Sequence, residues 1–176
     1  YTIEDISSWV FEHYFQNNQN YDFILGHSMG GMIGLYILSS RDIHCDQGII
    51  VETFLKPPPI LFRNLIMDSN KELLEDTILT MLKKEAPNYT NELLTSLKEE
   101  FDLTEYLNRI ACPLHFLYGN RGITDKDLLM NNVNLNQNHL SRINISFVDN
   151  ACHFPMLENP KQFNEIFQSI LLDNAD

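Results

Sequence analysis

The chain has 176 residues, 44% of them hydrophobic, which suits one domain with a sizeable core and is too short for two ordinary ones. Asp and Glu total 24 against 12 Lys and Arg, giving a formal net charge of -12 that is spread along the chain without a single-sign block. Such a charge repels polyanions and makes nucleic acid and anionic membrane poor partners, and its ordinary reading is a solubilising surface. No apolar run approaches the roughly 18 residues that read as a membrane span, and residues 1–12 carry no basic leader. Cys45, Cys112 and Cys152 form an odd set without CxxC spacing, which argues against a disulfide framework or a zinc site and reads as reduced thiols in a cytoplasmic protein.

In residues 2–15 the apolar Ile3, Ile6, Trp9, Val10 and Tyr14 recur at helical spacing, and Thr2 with Asp5 has the pattern of a capping box, which predicts an amphipathic helix. The polar run 16–20 ends it. Residues 21–25 read as a short buried strand that runs straight into a glycine cluster. A mostly apolar helical pattern resumes over 30–39 through Met32, Ile33, Leu35, Tyr36 and Leu38, as in a helix packed on a sheet. Residues 48–51 are a second strand. Pro57, Pro58 and Pro59 then leave the layered core, because three prolines continue neither a strand ladder nor a helix.

Leu73, Leu74, Ile78, Met81 and Leu82 predict a helix stopped near Pro87, and Leu93, Leu94, Leu97 and Phe101 a second, so residues 57–108 read as a helical insertion between core segments 1–56 and 109–176. The sheet pattern returns with a third strand at 114–118, a helix over 126–131 and a fourth strand at 143–148. Residues 149–156 form a loop, and Pro160 opens a last helix through Phe163, Ile166, Phe167 and Ile170. Strands separated by helices imply an α/β fold with a doubly wound, mostly parallel sheet, whose sites lie at the carboxyl ends of strands.

The first strand ends in Gly26-His27-Ser28-Met29-Gly30-Gly31, a G-x-S-x-G pattern between a predicted strand and a predicted helix. In that context the serine sits on a strained turn, and glycine is expected on both flanks because a side chain there would meet backbone. The turn also sets Ser28 and the Met29 amide at a helix N-terminus, where a developing oxyanion is stabilised. His27 reads as a packing residue. A serine hydroxyl is a poor nucleophile at neutral pH and needs a base in reach, for which histidine has the suitable pKa. Of six histidines, His153 follows a strand and precedes a proline-capped helix, whereas His13, His115 and His139 lie within other elements and His44 in a loop.

Residues 21–31, YDFILGHSMGG, resemble the nucleophile elbow of the α/β-hydrolase superfamily. Residues 112–119, CPLHFLYG, are similar to that family's seventh strand, and 150–160, NACHFPMLENP, to its histidine loop, with Cys152 where the family usually has glycine. The resemblance implies a serine hydrolase with the chain order serine, acid, histidine. Ser28 is then the nucleophile, His153 the base and the Met29 amide an oxyanion donor. The carboxylate usually follows the seventh strand after Gly-x-x, a place held here by Gly122. Asp125 in the same loop is the first candidate, Glu52 after the second strand is the alternative acid, and Asp127 or no acid remain behind them.

The resemblance further implies that strands preceding the elbow, and the second oxyanion donor they carry, are missing, so the chain reads as an N-terminally truncated hydrolase with an unpaired sheet edge open to self-association. The expected reaction is cleavage of a carboxylic ester or thioester of a small molecule, with residues 57–108 as a cap and neither metal nor organic cofactor required. Carbon–carbon bond hydrolysis, acyl transfer or lyase chemistry on the same site is one alternative, and a non-catalytic binding protein on this fold is another. Serine at the elbow argues against the epoxide hydrolase and dehalogenase branches, which use aspartate there.

Overall fold

A computed structural model describes residues 1–15, 17, 20–40, 43–98 and 101–172. It is a parallel four-stranded sheet with flanking helices, in the order β1 (Asn20–His27), β2 (His44–Val51), β3 (Leu114–Gly119), β4 (Asn144–Val148). The helices are α1 (Ile3–Val10), α2 (Met29–Leu38), α3 (Lys71–Glu85), α4 (Asn91–Lys98), α5 (Lys126–Val133), α6 (Gln137–Leu140), α7 (Pro155–Glu158) and α8 (Pro160–Leu172). Two compact units divide the chain. The first comprises Tyr1–Pro57, Pro87–Phe116 and Leu135–Asn144, and the second Pro58–Ala86, Leu117–Asn134 and Ile145–Asp176. Residues 57–108, expected as one insertion, are thus shared out, with 58–86 in the second unit and 87–108 in the first.

In the first unit, α1 opens on the capping box read from the sequence. The Thr2 amide donates to Asp5 Oδ2 at 2.8 Å and the Asp5 amide to Thr2 Oγ1 at 3.2 Å. The Thr2 amide, and after it the Thr2 hydroxyl donating to Asp5 Oδ2 at 3.1 Å, hold the Asp5 carboxyl below the usual carboxylate range. The α-helix stops at Val10 and continues as a π-helical turn over Phe11–Phe15, so the single predicted helix is two segments. Gln16, Asn18 and Gln19 of the polar run lie outside the described residues.

β1 and β2 pair in parallel, with Asn20 opposite His44 and His27 opposite Val51. β1 was expected to be buried, yet Phe23 and Leu25 are 41% and 48% exposed. It stands at one end of the described sheet, where only one neighbour is bonded to it. β2 is flanked on both edges and is buried without interruption from Gln47 to Val51, the pattern of an interior parallel strand. It begins four residues before the predicted start, because His44 to Gln47 include polar side chains that sequence pattern assigns to a loop. α2 packs on this pair and buries Gly31, Gly34, Leu35, Ile37 and Leu38. The α4 helix ends short of Phe101, which lies outside it.

In the second unit, Leu117, Tyr118 and Val148 are buried with Phe62, Ile78 and Phe154. The Asn120 amide donates to the Val148 carbonyl at 2.9 Å, which joins the end of β3 to the end of β4. The loop expected over 149–156 is shorter than predicted, since Pro155 opens α7 at its first position. Among the described residues no helix is long and apolar enough to cross a membrane, and no group of three or more His, Cys, Asp or Glu is placed to hold a metal ion.

Candidate active site

Ser28 stands between the last residue of β1 and the first of α2 with φ 55° and ψ -123°. That region is sparsely populated by non-glycine residues and costs on the order of 1–3 kcal/mol, so the surrounding bonds must impose it. They are on hand in the first unit. The Ser28 amide donates to the Val51 carbonyl at 2.9 Å. Its carbonyl accepts from the Gly31 amide at 2.9 Å and from Thr53 Oγ1 at 2.8 Å, and the same hydroxyl lies 3.2 Å from the Val51 carbonyl. Thr53, a buried residue that no sequence motif singles out, thereby clips the elbow to the end of β2.

The glycines divide differently from the expectation. A Cβ on Gly26 would meet the Gly30 carbonyl oxygen, and Gly31 Cα at 2.6 Å, both of them backbone. A Cβ on Gly30 would have nothing within 4 Å, so its lack of a side chain is not what the turn requires. The second crowded position is Gly31, where a Cβ would overlap Thr53 Oγ1 and approach Thr53 Cβ at 2.8 Å. The G-x-S-x-G spacing falls on the strained strand-to-helix turn, while the steric constraint falls on Gly26 and Gly31. Met29 is the first residue of α2, and its amide, like the first N–H groups of any α-helix, has no intrahelical acceptor.

Glu52 directly follows β2, is 2% exposed and holds a positive φ of 49°. Asp125 is exposed and spends one carboxylate oxygen as the N-cap of α5, accepting from the amides of Asp127 at 3.0 Å and Leu128 at 3.1 Å. Asp127 lies in the first turn of that helix.

His153 is half-buried in the second unit, with its amide bonded to the Leu65 carbonyl at 3.2 Å and its ring edge-on to Phe154. The loop that carries it is braced by three residues absent from the sequence-based list. Asn120 Oδ1 accepts from the Asn150 amide at 2.8 Å, while its Nδ2 donates to Asp149 Oδ1 at 2.7 Å. Glu158 accepts the Cys152 amide on one oxygen and the Met67 amide on the other, each at 2.7 Å. The Arg121 amide donates to the Ala151 carbonyl at 2.9 Å, and its guanidinium lies over the Phe62 ring. Arg121 (φ 53°) and Asn150 (φ 51°) sit in left-handed backbone, as the tight turns after β3 and β4 require. Gly119 is the counterpart of Gly26, since a Cβ there would overlap the Ala151 carbonyl. The polar residues after Gly119 and the Glu five residues beyond His153 were the available signals, but side chains that bind backbone show no spacing rule.

No protein-family model matches the chain, and no curated protein matches it by sequence. Solved structures do. A thermophilic esterase from Thermogutta terrifontis, with malate bound, is 15% identical at a TM-score of 0.72, over 98% of this chain and 73% of its own. Est816, described as an N-acyl homoserine lactone degrading enzyme, is 15% identical at 0.68, over 96% of this chain and 74% of its own. MGS-MChE2, an α/β-hydrolase enzyme from the metagenome of lagoon sediments at Mar Chica, Morocco, is 14% identical at 0.65, over 99% of this chain and 72% of its own. At such identities the likeness is one of backbone, and it agrees with the strained serine turn and the parallel sheet: the chain has the α/β-hydrolase fold.

Proposed function

We propose that the chain carries a serine hydrolase centre for carboxylic esters or thioesters, with Ser28 as nucleophile, His153 as its base and the Met29 amide as an oxyanion donor. The observation that carries the reading is the Ser28 backbone, φ 55° and ψ -123° between β1 and α2, a strain that a plain packing turn would have no cause to hold. The serine hydroxyl attacks the carbonyl carbon. His153 takes its proton and returns it to the leaving group, and water then cleaves the acyl-serine by the same relay. The ester class is supported by the solved structures that the chain resembles in backbone, among them a thermophilic esterase.

For an acyl substrate, the second unit offers a cavity of ≈ 430 Å³ lined by Leu61, Leu65, Ile66, Ile78 and Leu79 together with Arg63, Asp68, Lys71 and Glu75. These residues fall in the stretch 57–108, which we read as the cap. A small ester with an apolar acyl chain suits that wall.

The test is fluorophosphonate labelling read by intact mass. One adduct, mapped to Ser28 and absent from Ser28→Ala, is expected; a folded chain that never labels would leave the non-catalytic reading in its place.

The observations favour Glu52 over Asp125 as the carboxylate that orients the base. Glu52 is buried at the end of a central strand, beside the Val51 carbonyl that fixes Ser28, whereas Asp125 is exposed and committed to its own helix. A carboxylate that fixes an imidazole and stabilises its cation does so best out of water. Glu52→Gln is expected to lower ester turnover on the order of 10⁴-fold. Asp125→Asn, which keeps an equally good cap, should leave turnover nearly unchanged. Steady-state rates of the two variants decide, and the reverse ranking returns the role to Asp125.

A further inference from the structure

The first unit holds a second group of reactive side chains, away from the elbow. Cys45 is the second residue of β2 and Cys112 lies two residues before β3, so both sit at the amino-terminal starts of neighbouring strands. They line one cavity of ≈ 490 Å³ whose wall also includes His44, Asp46 and Arg109. The strands are bonded side by side at this end, with the Gly48 amide donating to the Pro113 carbonyl at 2.9 Å. That bond sets Gly48 opposite Leu114, so Cys45 and Cys112 lie on adjacent chains one residue out of register, a diagonal of roughly 6 Å that is within the Cα separation a disulfide spans. Cys45 Sγ donates to the Gln47 carbonyl at 3.0 Å, and the neighbouring Cys112 draws the Cys45 thiol below the ordinary thiol range while its own is pushed up. Cys152 belongs to the other unit and is buried there.

We propose that Cys45 and Cys112 form a redox-active dithiol that closes to an intrachain disulfide with hydrogen peroxide as the oxidant. The Cys45 thiolate attacks one peroxide oxygen, the O–O bond breaks, and the departing hydroxide takes a proton to become water, leaving Cys45 as a sulfenic acid. Cys112 sulfur then attacks the sulfenic sulfur. The S–S bond forms, the S–O bond breaks, and the hydroxide leaves as water with the Cys112 proton. Two thiols and one peroxide thus give one disulfide and two waters, the two electrons passing from sulfur to peroxide. Cys112 favours the anionic form on which the first step depends, against the nearby Asp46 carboxylate, which opposes it. The bridge ties the start of β2 to the segment leading into β3.

The test treats the purified chain with a slight excess of hydrogen peroxide, blocks remaining thiols with N-ethylmaleimide in denaturant, and maps peptides without reduction. A Cys45–Cys112 cross-link about 2 Da lighter than the two thiol peptides together is expected, with Cys152 recovered as the maleimide adduct. Cys112→Ser should lose the cross-link and instead leave Cys45 as a sulfenic acid trapped by dimedone, while Cys152→Ser should keep the cross-link. Fluorophosphonate labelling of Ser28 in Cys45→Ser should match the parent, which separates this inference from the hydrolase reading. A cross-link through Cys152, or recovery of both Cys45 and Cys112 as maleimide adducts under peroxide that oxidises dithiothreitol in the same tube, would overturn it.

Discussion

His153→Ala is expected to abolish ester turnover, by on the order of 10⁶-fold, while leaving the fold intact. The loss is this large because the serine hydroxyl is nearly unreactive without a group to accept its proton, and the same imidazole must return that proton to the leaving group. The fold should survive because His153 anchors its loop through its backbone amide, bonded to Leu65, and alanine retains that amide. The loop keeps its other braces as well, from Asn120, Arg121 and Glu158. Hydrolysis of a short p-nitrophenyl ester measures the first effect, and far-ultraviolet circular dichroism through a thermal melt the second. Turnover retained by a folded His153→Ala protein would remove His153 from the mechanism.

Gly26→Ala is expected to destabilise the chain by about 3 kcal/mol or more, with a fall in Tm on the order of 10 °C. The new methyl would be driven into the Gly30 carbonyl and Gly31 Cα, backbone atoms held at the start of α2 that have no rotamer by which to yield. Gly30→Ala provides the contrast. It sits in the first turn of the same helix with open space around its Cβ direction, where alanine is preferred to glycine by roughly 0.5–1 kcal/mol. Thermal melts of the two variants should therefore move in opposite directions or leave Gly30→Ala unchanged. Equal losses would mean that the elbow is packed differently from the geometry described.

This pair shows how a motif and its physical cause can come apart. The pattern G-x-S-x-G located the strained serine and so the start of α2, but it named Gly30 where the crowded position is Gly31. Crowding there comes from Thr53, which lies 22 residues further along the chain and reaches the elbow only because β2 pairs with β1. The carboxylates repeat the lesson. Position relative to the third strand put Asp125 first, while burial and hydrogen bonding favour Glu52, since exposure is a property of the folded chain and not of sequence spacing.

The sequence by itself determined the alternation of strands and helices, the capping box of α1 and the strand-to-helix turn at Ser28, because each rests on local periodicity, turn chemistry or a short motif. Tertiary structure alone decided three further things. β1 exposes alternate side chains as an end strand while β2 is buried from Gln47 to Val51; Thr53, Asn120, Arg121 and Glu158 brace the loops by binding backbone; and Cys45 and Cys112 come to line one cavity. All three join residues distant in sequence, and such pairings follow from strand order and register, which a chain acquires only when its sheet is assembled.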